Sequence, residues 1–143
     1  TLPWPSLSKL VNGWSKRSKP NSMKIDIKVV SRHIPEQTDP DAFRFVFAYT
    51  ITITNNGDEA SQLLNRYWLI TDANGKKVEV RGAGVVGEQP VIEPGKSYTY
   101  TSGCVLETPV GTMEGYYQMT RAAGELKNVT IPTFRLAVPN MVH

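Results

Sequence analysis

The chain has 143 residues, of which 40% are hydrophobic and 20% charged, values typical of one globular domain. No apolar run reaches the roughly 18 residues that a membrane-spanning helix needs. The single cysteine, Cys104, excludes a disulfide framework within the chain, and with only His33 and His143 a Cys/His zinc site is nearly excluded.

The net charge of +3 is divided unevenly along the chain. Residues 1–22 contain four basic residues and no acidic one, whereas the remainder has 12 basic against 13 acidic residues. The basic pI therefore belongs to an N-terminal extension. The overall charge of the body gives no reason to expect a nucleic-acid-binding surface there.

We call residues 1–22 the N-terminal arm, and we expect it to be irregular because prolines and serines punctuate it. Its tryptophans and cations could anchor it in a protein groove or bind nucleic acid by stacking and charge. A tag, a disordered leader and the remnant of an organellar transit peptide are the other interpretations. The candidate partner-binding residues are Trp4, Trp14, Lys16, Arg17 and Lys19.

From Met23 onward the sequence alternates polar and apolar residues with the period of two that is typical of half-buried strands. No segment of this body shows a convincing helical period. The predicted strands are Lys24–Val30, Arg44–Thr54, Leu64–Asp72, Lys77–Arg81, Ser97–Thr101, Glu114–Thr120 and Val129–Leu136.

Turn signals such as Ala73-Asn74-Gly75 separate these strands, one signal every 8–12 residues. About seven to eight strands at this spacing predict an all-β fold, an antiparallel β-sandwich of the fibronectin type III or immunoglobulin kind. The predicted core consists of Ile25, Ile27, Phe45, Phe47, Tyr49, Ile51, Trp68, Ile70, Val78, Val80, Tyr117 and Phe134.

Residues 82–87 match the dinucleotide-binding pattern G-x-G-x-x-G by letter. That pattern requires a following helix, which Pro90 and Pro94 make implausible. The glycines could instead form an anion-binding loop assisted by neighbouring arginines, or simply permit a tight connection between the sheets. The candidate anion-binding residues are Arg66, Arg81, Gly82, Gly84 and Gly87.

The sequence offers little support for catalysis. Neither histidine lies near a nucleophile signature such as G-x-S-x-G, and Cys104 lies in a strand pattern that favours a small buried residue. The carboxylates lack the dense spacing of a calcium loop. We therefore expect a protein that is not an enzyme, with no metal site and no cofactor.

Aromatic residues cluster in three of the predicted strands, and most of them fit cross-strand packing. Tyr67 and Trp68 are adjacent, so in a regular strand they point to opposite faces of the sheet. One of the two is expected in the core. The other would suit a protein interface.

The body resembles the ApaG family, and the matching stretches cover nearly all of residues 23–143 in order. We therefore divide the chain into the arm, 1–22, and an ApaG domain, 23–143. The stretches are FVFAYTITITN at Phe45–Asn55, NRYWLITD at Asn65–Asp72, VRGAGVVG at Val80–Gly87, PGKSYTYTSG at Pro94–Gly103, GTMEGYYQM at Gly111–Met119 and TFRLAVPNMVH at Thr133–His143.

The resemblance implies a fibronectin type III-like sandwich that acts as a protein-interaction module. The family includes small bacterial proteins and domains of eukaryotic F-box and polymerase-interacting proteins. Its bacterial members are linked by name to cobalt and magnesium resistance and by gene neighbourhood to diadenosine tetraphosphate hydrolysis. The family's Gly-rich motif, likened to a pyrophosphate-binding loop, maps onto Gly82, Gly84 and Gly87.

Three functional hypotheses follow. The first is a non-enzymatic interaction domain whose partners add a strand to a sheet edge or dock on a sheet face. The second is an accessory subunit of a large organellar ribosomal or respiratory assembly, anchored by the arm. The third is a sensor of phosphate or dinucleoside polyphosphates that uses the Gly-rich loop. We expect a cytoplasmic protein if the chain is bacterial, and a mitochondrial matrix protein if the arm follows a cleaved transit peptide.

Overall fold

In the computed structural model, residues 24–121 and 124–139 are described, and they form the predicted all-β sandwich. Two single-turn 3-10 helices, Pro35–Gln37 and Pro40–Ala42, lie between the first two strands. The strands are β1 (Ile25–His33), β2 (Phe45–Asn55), β3 (Ser61–Asp72), β4 (Lys77–Ala83), β5 (Val91–Ile92), β6 (Ser97–Leu106), β7 (Val110–Arg121) and β8 (Leu126–Ala137).

The strands form two antiparallel sheets of unequal width. One sheet has the order β1-β2-β6, and the other has the order β4-β3-β7-β8, with the short β5 pairing β3 beyond the end of β4. On one side of the sandwich, β1 of the first sheet lies against β8 of the second. Because the first sheet has only three strands, none of its described strands covers the inner face of β4.

Most of the predicted core is confirmed. Ile27, Phe45, Phe47, Tyr49, Ile51, Trp68 and Tyr117 are buried, while Ile25, Ile70, Val80 and Phe134 are half-buried against that cluster.

The prediction for Val78 was wrong, because this side chain is 46% exposed. In the alternation of β4, Val78 occupies an inward position. The three-stranded sheet, however, does not extend over that strand.

Sequence reasoning also missed several core residues and placed some strand ends too early. Gly103 continues β6 opposite Ala48 instead of ending it, so β6 reaches Leu106. Gly115 lies within β7, where a Cβ atom would collide with the Tyr67 carbonyl. Gly115 marks a close approach between strands, whereas a Cβ on Gly103 would lie 3.5 Å from the Phe47 carbonyl, an ordinary contact; neither glycine marks a turn. The missed core residues include Ile53, Leu63, Met113, Met119, Ile131 and Leu136.

Candidate functional site

Arg66 occupies the centre of the predicted anion-binding set. It pairs with Gly82 across the β3–β4 ladder, and its Nη1 donates hydrogen bonds to the carbonyls of Ala83 (3.1 Å) and Gly84 (2.9 Å). A Cβ atom on residue 82 would lie 2.8 Å from Nη1. Glycine at this position therefore lets the guanidinium lie directly against β4.

The Gly-rich motif forms a tight hairpin after β4. Val85 and Glu88 exchange two backbone hydrogen bonds of 2.8 and 2.9 Å, and the two residues between them, Val86 and Gly87, have φ values of 44° and 83°. Positive φ at both central positions is the signature of a type I′ turn. Gly84 and Gly87 have the positive φ values that the conformational interpretation expects, but the hairpin connects β4 and β5 of one sheet and not the two sheets. The described segment that follows contains β5 and no helix.

Gly84 is the tightest position in this hairpin. Its φ is 64°, and a Cβ atom would collide with the Glu88 carbonyl. Its N–H donates to the Leu64 carbonyl at 2.8 Å. The N–H groups of Gly84, Val85 and Glu88 thus have partners inside the protein, which leaves Val86 and Gly87 as the central residues for any backbone anion contact.

A cavity of about 330 Å³ lies beside this hairpin, between the two sheets. We call it the cationic cavity, because Arg66 is its one charged lining residue and none of its lining residues is a carboxylate. None of the ion pairs among the described residues includes Arg66. The lining residues are Tyr49, Arg66, Trp68, Ala83, Val85, Val86, Gly87, Tyr100 and Ser102.

Tyr100 lines the cationic cavity and is hydrogen-bonded to a second buried phenol, Tyr117. The Tyr100 and Tyr117 hydroxyl oxygens lie 2.5 Å apart, and Tyr117 is fully buried. Burial raises the pKa of both hydroxyls far above the usual value of a phenol, so both stay protonated at neutral pH. The two hydroxyls share one hydrogen bond, and either oxygen can be its donor.

Arg81 points to the outer face of the wider sheet. Its guanidinium lies 4.6 Å from the centre of the Tyr67 ring and 3.6 Å from a Glu79 carboxylate oxygen. Tyr67 stacks on Tyr116 at 5.0 Å, whereas Trp68 is buried. The predicted opposite orientation of these adjacent aromatics is confirmed.

The structure therefore separates the two predicted arginines. Arg66 faces the space between the sheets and Arg81 faces outward, although both line a shallow outer depression of about 140 Å³ next to Gly82. Arg66 is brought together with the glycines of the hairpin, while Arg81 is held by Glu79 and Tyr67. The role of this set in anion binding stays a prediction.

A second cavity, of about 180 Å³, lies farther along the same side of the sandwich. We call it the apolar cavity, since its wall is formed by Ile70, Val78, Val105 and Leu106, with charged residues at its mouth. Val78 and Val105 are 46% and 51% exposed. Both cavities lie between β6 and the β3–β4 ladder, and we call this region the open side.

Within residues 24–121 and 124–139, no strand pairs with the edge of β6 that faces the open side. In β2, the Asn55 N–H donates to the Lys96 carbonyl on the β6 side, whereas the Val46 carbonyl accepts from the Ile34 N–H on the β1 side. Hydrogen-bonding direction alternates along an antiparallel strand, so the even-numbered residues of β6 bond to β2. The odd-numbered residues, among them Thr99, Thr101, Gly103 and Val105, therefore direct their N–H and C=O groups to the free edge, and their side chains are exposed.

Sequence composition distinguishes β6 from the other outer strands. Natural edge strands are commonly protected against pairing by charged residues or proline. β1, β4 and β8 all contain such residues, whereas the ten residues of β6, SYTYTSGCVL, contain none. This composition could have identified the edge from sequence, but only once β6 was known to be an outer strand.

Cys104 is buried, as predicted, and His33 is the last residue of β1. The predicted partner-binding residues Trp4, Trp14, Lys16, Arg17 and Lys19 lie outside the described residues. Within residues 24–121 and 124–139, no helix has the length and apolar character needed to cross a membrane.

Comparison with known proteins places this geometry in a family. The family model of the ApaG domain matches residues 35–121. The ApaG protein of Pectobacterium carotovorum is 54% identical over 123 residues, covering 86% of this chain and 98% of that protein. The ApaG protein of Proteus mirabilis is 57% identical over 122 residues, covering 85% and 98%.

Solved structures agree with this assignment. A crystal structure from Bordetella pertussis, described as an ApaA protein, has 45% sequence identity and a TM-score of 0.81, covering 83% of this chain and 97% of that one. A structural-genomics crystal structure has 50% identity and a TM-score of 0.79, covering 83% and 90%. The chain belongs to the ApaG family.

Proposed function

We propose that this ApaG domain is a non-enzymatic protein-interaction module that binds an extended segment of a partner protein as a fourth strand on β6. The observation that carries the proposal is the uncharged edge of β6, which no described strand covers, beside an inner face of β4 that no described strand covers either. Strand addition supplies backbone hydrogen bonds for affinity and side-chain pockets for specificity.

The added strand would complete the narrower sheet. It would lie opposite β4, where it would cover Val78 and shield the half-buried Val80. Burial of this apolar surface favours association. The backbone groups of Thr99, Thr101, Gly103 and Val105 would gain partners in the same step.

The test uses a proline at the free edge. Thr101→Pro removes one N–H from the edge. An outer strand tolerates proline at a position where the lost N–H faced solvent. Thr101→Val is the matched control, because both variants lose the 2.8 Å hydroxyl pair with Thr50 while the valine keeps the N–H. Proteins bound to the wild type and to each variant in a host lysate are quantified by mass spectrometry.

A specific partner of the β6 edge should be retained by Thr101→Val and reduced about tenfold or more by Thr101→Pro, since one strand-addition hydrogen bond is lost and the proline ring blocks close approach. Both variants must keep the unfolding midpoint of the wild type within a few degrees. Equal capture by the two variants would contradict binding at β6.

A phosphate or dinucleoside polyphosphate sensor is the second candidate function. The support for it is Arg66, a cation without an acidic partner among the described residues, beside the hairpin of Gly84 and Gly87. Calorimetric titration with pyrophosphate tests it. Binding should be lost in Arg81→Ala if the two arginines and the glycines act together, and an unchanged titration would remove Arg81 from that set.

The remaining parts of the functional hypothesis depend on the partner. We propose that any link to cobalt and magnesium resistance runs through the bound protein. Bacterial relatives support the cytoplasm as the compartment, in preference to the mitochondrial matrix. Anchoring in a large assembly through the arm predicts that removal of residues 1–22 abolishes co-purification with that assembly, whereas the β6 interaction would survive.

A further inference from the structure

The open side contains two cavities of different chemistry, and both face the position that an added strand would occupy. Residues opposite each other in neighbouring strands place their side chains on the same face of the sheet. Tyr100, Ser102 and Leu106 of β6 face inward. The residues of a partner strand opposite these three would therefore also face inward, toward β4 and the two cavities.

The cationic cavity selects a negatively charged side chain. Arg66 brings a positive charge and donors beyond the Nη1 atom that holds Ala83 and Gly84. Tyr100 and Ser102 add hydroxyl groups, and no carboxylate lines the cavity to balance the charge. A carboxylate that enters here would gain charge-assisted hydrogen bonds, whereas a lysine would meet like charge.

The apolar cavity selects an aliphatic side chain. Its wall consists of Ile70, Val78 and Leu106, together with the exposed Val105. Its three charged residues already have partners: Lys76 Nζ lies 3.1 Å from Glu107 Oε1, and Asp72 Oδ1 accepts hydrogen bonds from the N–H groups of Asn74 and Lys76. With its polar groups already paired, this cavity gains most from burial of an apolar group.

The spacing between the cavities fixes the spacing of the two side chains. Ser102 lines the first cavity and Leu106 the second, four positions later on the same face of β6. Four residues of extended chain span about 13 Å. A partner strand in register with β6 would reach both cavities with residues that are likewise four positions apart.

We infer that the segment which adds to β6 carries an aspartate or glutamate for the cationic cavity and, four positions away on the same face, a valine, isoleucine or leucine for the apolar cavity. This inference rests on the proposed function, because it names the chemistry of the strand that β6 accepts. It assigns Arg66 the part of a specificity residue toward a protein partner.

The experiment uses four synthetic peptides, each acetylated and amidated, and follows the backbone amide signals of the protein by NMR. KETTTVK and KVTTTEK place the acid and the aliphatic residue four positions apart in the two possible strand directions. KQTTTVK and KVTTTQK are the neutral matched controls. Each is added up to about 5 mM, a range that covers affinities as weak as millimolar.

One glutamate peptide should shift the amides of Thr99, Thr101, Gly103 and Val105, and it should bind about tenfold more tightly than its glutamine counterpart. A hydrogen bond to a charged group supports a difference of that size. In Arg66→Gln the two peptides should bind equally. Arg81→Gln, the matched arginine variant on the outer face, should preserve the difference.

Gly82→Ala gives a second test that keeps the charge. Its Cβ would lie 2.8 Å from Arg66 Nη1, so the guanidinium must move. The glutamate preference should fall while binding of the glutamine peptide is unchanged. The affinities of the glutamate and glutamine peptides for the wild-type protein still test the inference even if an Arg66 variant unfolds.

The outcomes separate the two proposals. If none of the peptides perturbs the β6 edge, strand addition itself is contradicted, and the inference falls with it. If glutamate and glutamine peptides perturb the edge with equal affinity, strand addition stands and the inference is wrong. A glutamate preference that Arg81→Gln removes and Arg66→Gln preserves would also overturn the inference.

Discussion

The two long sides of this sandwich are built differently. On one side β1 lies against β8, and Ser31 Oγ donates to the Arg135 carbonyl at 3.0 Å, so the sheets are joined. At the outer margin of the open side, a side-chain bridge lies at each end. Tyr98 Oη lies 2.8 Å from a Glu88 oxygen at one end, and Lys76 pairs with Glu107 at the other.

Burial in this sandwich follows sheet width as well as alternation. Val80 and Val78 belong to the same inward face of β4, yet Val78 is 46% exposed. Residues of identical pattern on β2 are fully buried, because β2 is central in its sheet and β4 is not covered. A side chain that alternates inward but remains exposed shows where the facing sheet, in its described part, ends.

The largest expected effect concerns the hairpin at one end of the open side. Gly84→Ala should lower the free energy of unfolding by about 3 kcal/mol or more, because its Cβ meets the Glu88 carbonyl at a positive φ. Gly87→Ala is the control: its φ is 83° but nothing lies within 4 Å, so about 1 kcal/mol is expected. Denaturant unfolding gives both values, and equal losses would contradict this hairpin geometry.

The second prediction concerns alkaline pH and Cys104, whose side chain faces the core from β6. Burial raises the pKa of its thiol from 9.0 to about 11. The folded state therefore holds the thiol proton more tightly, so this stabilisation is complete below pH 9 and is lost as pH rises through 11. The buried tyrosines act in the same direction at still higher pH.

Comparing wild type with Cys104→Ala at pH 8 and pH 11 isolates the cysteine. The wild type should lose on the order of 2 kcal/mol more of its unfolding free energy over this range than the variant does. Equal losses would show that the thiol titrates alike in the folded and unfolded chain. In the folded protein at pH 8, a cysteine introduced as Thr101→Cys should react with a thiol reagent much faster than Cys104.

The third prediction tests the buried phenol pair that spans the two sheets. Tyr117→Phe should lower the free energy of unfolding by about 1–2 kcal/mol, because the Tyr100 hydroxyl loses its partner. Tyr116→Phe, one residue away on the outer face, should change it by a few tenths at most. A larger loss in Tyr116→Phe would reverse the assignment of the two faces.

The smallest effect is expected at the exposed bridge across the open side. Lys76→Met should change the free energy of unfolding by less than about 0.5 kcal/mol, because both side chains of the Lys76–Glu107 pair are more than half exposed. A loss well above that value would mean that this pair holds the two sheets together on the open side, which would then not be free to accept a strand.

The fold was predictable because the alternation is regular. Phe45, Phe47, Tyr49 and Ile51 alternate with polar or small residues along β2, and this pattern requires no tertiary information. The end of β6 was harder, since the predicted strand stops at Thr101, before Gly103, whereas the pairing with β2 continues to Leu106.

The candidate site was predictable only in part. Arg66 and the Gly-rich hairpin were identified from the letters, and the structure brings them together. Gly82 lies opposite the inward-facing Arg66, so its neighbour Arg81 faces outward. This direction could not be predicted without the register between β3 and β4. The open side could not be predicted, because which strands are outermost depends on long-range pairing.

Amide hydrogen exchange along β6 tests whether the outer edge of this strand is open and accepts a partner strand. In the free protein, the odd-numbered amides from Thr99 to Val105 should exchange rapidly, while the even-numbered amides, bonded to β2, are protected. A bound partner should then protect the odd-numbered set. Protection of that set in the free protein, or new protection on β1 or β8 in its place, would contradict the claim that β6 is the open edge that accepts a strand.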